Sequence, residues 1–250
     1  MKKIIGAAML ASATLSGAAS AGEISGNIAL VTDYVFRGVS LSDNNYAVQG
    51  GFDWSHGIIY AGVWGSSLSS GAELDVYAGI TPTTGPVEWD FGVVGYFYPG
   101  ADDDIPESVP GVSDDAVGEF DYFEFKAAPS IAVNDQIGLG AGVYFAPENY
   151  GETGNALYLE VNGSLTVSDQ LEFTAAFGNQ SVDDLDGPNS TSVEDDYNTW
   201  NIGGTLAVHG FGVDLRYHDT DIEAGSNIEA YTFGPASYDS AVVLSLSREL

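Results

Sequence analysis

Carboxylates outnumber every other charged group in this chain of 250 residues, 36 against six Lys or Arg, and many recur two positions apart. Glu73 and Asp75 flank Leu74, and Glu88 and Asp90 flank Trp89. Paired acids of this kind could serve hydrolysis, one protonated and the other ionised. In an extended chain the same spacing simply puts both acids on one face. Because the pattern recurs along the chain, a charged lining is the simpler account. Imidazole is scarce, with only His56, His209 and His218. The first two precede glycines, where turn formation explains them. His218 is then the one candidate general base, and no nucleophile motif accompanies it, so an enzyme is not expected.

Metal and cofactor chemistry finds as little support. The runs Asp102-Asp103-Asp104 and Glu194-Asp195-Asp196 offer oxygen ligands suited to Ca²⁺ or Mg²⁺. Asp184-Leu185-Asp186-Gly187 nevertheless fails the EF-hand pattern, since Val182 and Val193 stand where the first and last ligands belong. Solvated charge is the better account of these runs. No histidine cluster has transition-metal spacing, and no glycine-rich loop joins a strand to a helix. Neither a metal nor a cofactor is expected. With no Cys present, disulfides, thiol chemistry and a lipoprotein anchor are excluded.

Positioning so many acids requires an unusual scaffold, and the N-terminus indicates its destination. Lys2-Lys3, an apolar run from Ile4 to about Leu15, and the small residues ending in Ala19-Ser20-Ala21 form a secretory signal peptide. Two segments are therefore expected, a signal peptide at 1–21 and a single domain at 22–250. Cleavage after Ala21 leaves 229 residues carrying four basic side chains and 36 acids, a net of −32. Such a chain repels nucleic acid. With 12% aromatic and 44% hydrophobic residues, it is too apolar to be disordered.

Nearly every apolar segment alternates with period two. Leu74, Val76 and Ala78 oppose Glu73 and Asp75; Leu157, Leu159 and Val161 oppose Tyr158, Glu160 and Asn162; Val213 and Leu215 oppose Asp214 and Arg216. Twelve strands are expected near 26–37, 46–55, 58–66, 72–81, 87–98, 118–132, 135–146, 156–167, 170–180, 197–208, 211–219 and 239–249. Connections after the even strands are short, among them His56-Gly57 and His209-Gly210. Those after the odd strands are longer, with the longest at 99–117, 181–196 and 220–238. This segregation of loop lengths, with spans of about 9–11 residues, predicts an all-β fold: a single transmembrane antiparallel up-and-down barrel.

Energetic cost assigns the two faces. A basic residue on the lipid side near the midplane costs about 2–4 kcal/mol, so charged faces should turn inward. The expected lumen-lining set is Asp33, Arg37, Asp53, Glu73, Asp75, Glu88, Asp90, Glu124, Lys126, Glu160, Glu172, Asp214 and Arg216, ten acids and three bases. Arg37, Lys126 and Arg216 are expected to pair with neighbouring carboxylates. Trp54, Trp64, Trp89 and Trp200, with many Tyr and Phe, are expected in girdles at the two interfaces.

Several stretches are also familiar. Val31-Thr32-Asp33-Tyr34-Val35-Phe36-Arg37-Gly38-Val39-Ser40, Glu73-Leu74-Asp75-Val76-Tyr77-Ala78-Gly79, Tyr96-Phe97-Tyr98-Pro99-Gly100 and the closing Val242-Val243-Leu244-Ser245-Leu246-Ser247-Arg248 resemble the TorF-like porins of proteobacteria. The resemblance runs from residue 31 to the C-terminus and implies a signal peptide, an outer-membrane barrel and a pore. One departure is the last residue, Leu250, where such barrels usually carry an aromatic read by the assembly machinery. Arg248 also interrupts the alternation of Val242, Leu244 and Leu246, a position from which its head can snorkel to the interface.

An acid-lined lumen concentrates cations and excludes anions. The expected function is passive, cation-favouring diffusion of small solutes. The alternatives are a closed structural or surface-interaction barrel and, remotely, a hydrolase. Expected partners are outer-membrane lipid and lipopolysaccharide, the barrel assembly machinery, and small solutes or cations.

Overall fold

Twelve antiparallel strands close on themselves in the computed structural model, which describes residues 22–99, 120–151, 153–183, 196–224, 226, 228 and 237–250. They are β1 (Glu23–Val31), β2 (Ala47–His56), β3 (Ile59–Ser67), β4 (Ala72–Ile80), β5 (Val87–Phe97), β6 (Tyr122–Ala132), β7 (Ile137–Ala146), β8 (Ala156–Ser168), β9 (Leu171–Val182), β10 (Asp196–Val208), β11 (Phe211–Thr220) and β12 (Ala241–Glu249). Each strand pairs with its sequence neighbours. Closure comes from β1 against β12, with Ile28 opposite Arg248 and Leu30 opposite Leu246. With both edges of the sheet joined, every ladder has a partner. The signal peptide expected at 1–21 and the acidic run at 102–104 lie outside the described residues, as do Glu194 and Asp195.

Turn chemistry explains the tight ends. His209 (φ 51°) and Gly210 (φ 83°) both adopt left-handed backbone between β10 and β11, the geometry of a two-residue hairpin whose twist matches its strands. Both ends of the barrel chain fall on this short-turn side, where the Leu250 amide donates to the Gly26 carbonyl at 2.9 Å.

Alternation sorts the side chains. Phe52, Val161, Ile202, Leu215 and Val242 are each more than half exposed on the outside, and a belt of Ile, Leu, Val and Phe surrounds the barrel. Water-soluble monomers seldom expose contiguous apolar patches beyond a few hundred Å². Trp54 and Trp89 face outward near the short turns, with Trp89 stacked on Phe91 at 5.6 Å. Trp64 departs from the girdle expectation. It points inward and packs edge-on against Tyr34 at 5.6 Å. Arg248 is outside, its guanidinium 5.1 Å from the Phe211 ring.

The first strand also differs from expectation. It ends at Val31, not near 37, because the chain turns inward. Residues 32–46 fold into the long-loop end of the lumen, where Val35 pairs with Ser40 and Phe36 with Val39. Arg37 (φ 48°) and Gly38 (φ 85°) make the two-residue turn of this small hairpin. Asp33 and Arg37 keep the even spacing of an inward face, so spacing alone could not reveal that the strand stops. The buried apolar residues gather here, in three clusters that each include part of the segment. Phe36 packs on the cluster that contains Val94, Tyr96 and Val182, Val35 on the one that contains Val31 and Val243, and Val39 belongs to a third with Tyr197 and Ile228.

Candidate functional site

The inward hairpin and the upper wall form one polar assembly. Arg37 extends from the hairpin tip across to β6 and β9. Its Nη2 donates to both oxygens of Glu124, at 2.8 and 2.7 Å, and its Nη1 to Gln180 Oε1 at 2.9 Å. Its guanidinium carbon lies 4.3 Å from the Tyr158 ring centroid, 4.8 Å from Phe36 and 5.3 Å from Tyr144. Burial opposes the charge on Arg37, but Glu124 and the nearby Tyr96 and Tyr122 outweigh that and hold its pKa above the ordinary value. The backbone is tied down as well, by Tyr197, whose hydroxyl donates to the Arg37 carbonyl at 3.1 Å.

The other end of the segment is anchored on β4. Tyr34 donates its hydroxyl to Glu73 at 2.6 Å. Burial first, then Glu73 and Asp75, raise that hydroxyl well above its ordinary pKa, so it stays a donor. Asp33 accepts from Ser40 and Ser42 at 2.6 and 2.8 Å, which closes the base of the hairpin. Asp33 and Arg37, expected on a strand, thus reach the lumen from an inserted loop. Gly38 sits against the opposite wall, where a Cβ would collide with Thr199 and Thr220.

Below the hairpin the wall carries two further ion pairs. Lys126 Nζ lies 2.6 Å from Asp90, which also accepts from Tyr60 at 2.6 Å. Arg216 lies 3.1 Å from Asp214 and donates to Asn201 and Thr174, each at 2.8 Å, while Thr205 donates to Asp214 at 2.7 Å. Asp53 accepts from Tyr77 at 2.5 Å, and Glu160 from Tyr158 and Asn162 at 3.1 and 2.8 Å. Asp75 is buried beside Glu73 with one oxygen lacking a hydrogen-bond partner. Glu88 and Glu172 share the inward register near the short-turn end, Glu88 opposite Ser130 and Glu172 opposite Thr205.

Sequence reasoning missed the tyrosines. Five of the expected lumen-lining carboxylates (Asp53, Glu73, Asp90, Glu124 and Glu160) accept from a tyrosine hydroxyl. The signal was available in the register, because Tyr77 follows Asp75 by two and Tyr158 precedes Glu160 by two. Small wall residues make room for them: a Cβ on Gly92 would lie 2.6 Å from the Tyr60 hydroxyl and 2.9 Å from Lys126 Cε. His218 sits inward at the long-loop end of β11. Among the described residues it has no hydrogen bond to a hydroxyl or carboxylate that could complete a catalytic pair, and no group of acids and histidines is arranged to hold a metal ion.

Arg216 and Asp214 are 4% and 3% exposed, so Arg216→Ala strands a buried carboxylate. A loss of about 3–5 kcal/mol is expected, read as a lower denaturation midpoint of the detergent-solubilised barrel. An unchanged midpoint would show that Asp214 is hydrated.

Comparison with known proteins agrees with this architecture. The NanC porin superimposes with a TM-score of 0.55 over 89% of this chain and 97% of its own, at 7% identity. Salmonella typhi OmpF in complex with daunomycin gives 0.51 over 92% and 97%, also at 7% identity. Likeness at such low identity establishes a shared porin-like fold. No curated protein matches the sequence. A family does match residues 15–250, and the chain accordingly belongs to the family described as bacterial protein of unknown function (Gcw_chp).

Proposed function

We propose that the protein is an outer-membrane diffusion pore that favours small cations and is exported by a signal peptide at residues 1–21. The apolar belt would contact lipid and lipopolysaccharide after insertion by the barrel assembly machinery. The observation that carries the reading is the state of the inward acids. Asp53 and Glu160 are held by phenol or amide donors, and among the described residues neither forms an ion pair. Their negative potential therefore extends into the lumen. The resemblance to TorF-like porins and the porin-like fold support the same reading. No catalytic step is assigned.

Planar-bilayer recording under a salt gradient tests it. Discrete steps with a cation-selective reversal potential are expected, and Asp53→Asn should move that potential toward zero. Anion preference would overturn the reading. A closed structural barrel is the second reading, and the hairpin of residues 32–46 crossing the upper lumen favours it. Silence of the wild type and of variants that loosen this hairpin would decide for the closed barrel.

A further inference from the structure

We infer that the upper lumen wall is a binding site for small guanidinium-bearing cations, and that Arg37 occupies it as a tethered ligand. The wall supplies each element such a cation requires. Glu124 offers two carboxylate oxygens, both within 2.8 Å of one guanidinium nitrogen, and Gln180 offers an amide oxygen to the other nitrogen at 2.9 Å. Tyr158 and Tyr144 present ring faces at 4.3 and 5.3 Å. A planar, weakly hydrated cation suits this set better than a compact ammonium, because it can reach carboxylate and amide together while its face lies on an aromatic ring. These four residues belong to four different strands (β6, β7, β8 and β9), so the box belongs to the barrel wall. The third ring, Phe36, arrives with the hairpin itself.

The chemistry is competitive. Glu124 is 2% exposed, so a buried anion would be stranded whenever Arg37 withdraws. A solute carrying the same headgroup compensates that charge and stabilises the withdrawn hairpin. Because it binds one state of the segment and not the other, it shifts the balance toward the open lumen. The inference draws on the pore reading for its consequence, since releasing a plug matters only in a barrel that conducts. Occupancy of the box can be measured without current.

The test titrates detergent-solubilised barrel with methylguanidine, following heat and tryptophan emission. Trp64 reports on the segment through its contact with Tyr34. Arg37→Ala vacates the box and should bind methylguanidine saturably, at least about tenfold more tightly than wild type because no internal competitor remains. Adding Glu124→Gln should abolish that gain, and methylamine should bind Arg37→Ala more weakly than methylguanidine. Equal affinity of Arg37→Ala and the double variant, or of the two cations, would overturn the site. Should Arg37→Ala fail to assemble, wild type and Glu124→Gln carry the test. Methylguanidine should change the emission of the wild type saturably and leave Glu124→Gln unchanged, and no difference between them overturns the site. Binding without current in any variant would refute the pore and leave the guanidinium box standing.

Discussion

Arg37→Ala should raise the unitary conductance of the reconstituted barrel severalfold. The hairpin holding Arg37 crosses the upper lumen, and the Arg37–Glu124 pair at 2.7 Å joins its tip to the far wall. Side chains of the two residues are 9% and 2% exposed. Removing one partner of so buried a pair costs about 3–5 kcal/mol, because the other charge is left uncompensated. Stacking of the guanidinium on Tyr158 adds about 0.5–2 kcal/mol that is lost with it. Relief comes from letting water reach Glu124, which requires the hairpin to move aside. Gly38→Ala acts in the same direction by a separate route, since its positive φ disfavours a side chain and its Cβ would meet Thr199 and Thr220. Wild-type conductance in both variants would mean that the segment does not obstruct the path.

Val161→Arg should prevent assembly of the barrel, whereas Asn162→Arg should be tolerated. The two positions are adjacent on β8 and face opposite ways. Val161 is 58% exposed and sits mid-strand between Ala141 and Phe177, within the apolar belt. An arginine there would place its charge in hydrocarbon at a cost of about 2–4 kcal/mol. Asn162 already donates to Glu160 from the inner face, where an added cation meets carboxylates. Heat-modifiable migration on a gel distinguishes folded from unfolded barrel for each variant. If Val161→Arg folds as well as Asn162→Arg, the outer face is not in lipid.

Much of the architecture was legible because a barrel repeats one simple rule. Alternation at Glu73-Leu74-Asp75-Val76 assigns the faces, and the same rule places Asp90, Glu124, Glu160, Asp214 and Arg216 on one side of their strands. Pairing of Lys126 with Asp90 crosses between neighbouring strands β5 and β6, so local chemistry nearly suffices for it. Arg37 with Glu124 is different. Eighty-seven residues separate them, and nothing in either local pattern names the other. The tyrosines are a mixed case: register with Asp75 places Tyr77 on the inward face, but its partner Asp53 lies on another strand and is named by no local pattern.

By itself, then, the chain determined strand number, face assignment and the excess of inward acids, since period-two patterning is a local property that hydrocarbon on one side makes costly to violate. The tertiary structure alone decided what stands in the lumen. Whether residues 32–46 extend β1 or fold inward depends on whether the closed wall offers Glu124, Gln180 and two tyrosine faces where Arg37 can reach them. Those partners come from strands far apart in sequence, and they meet only once the barrel has closed.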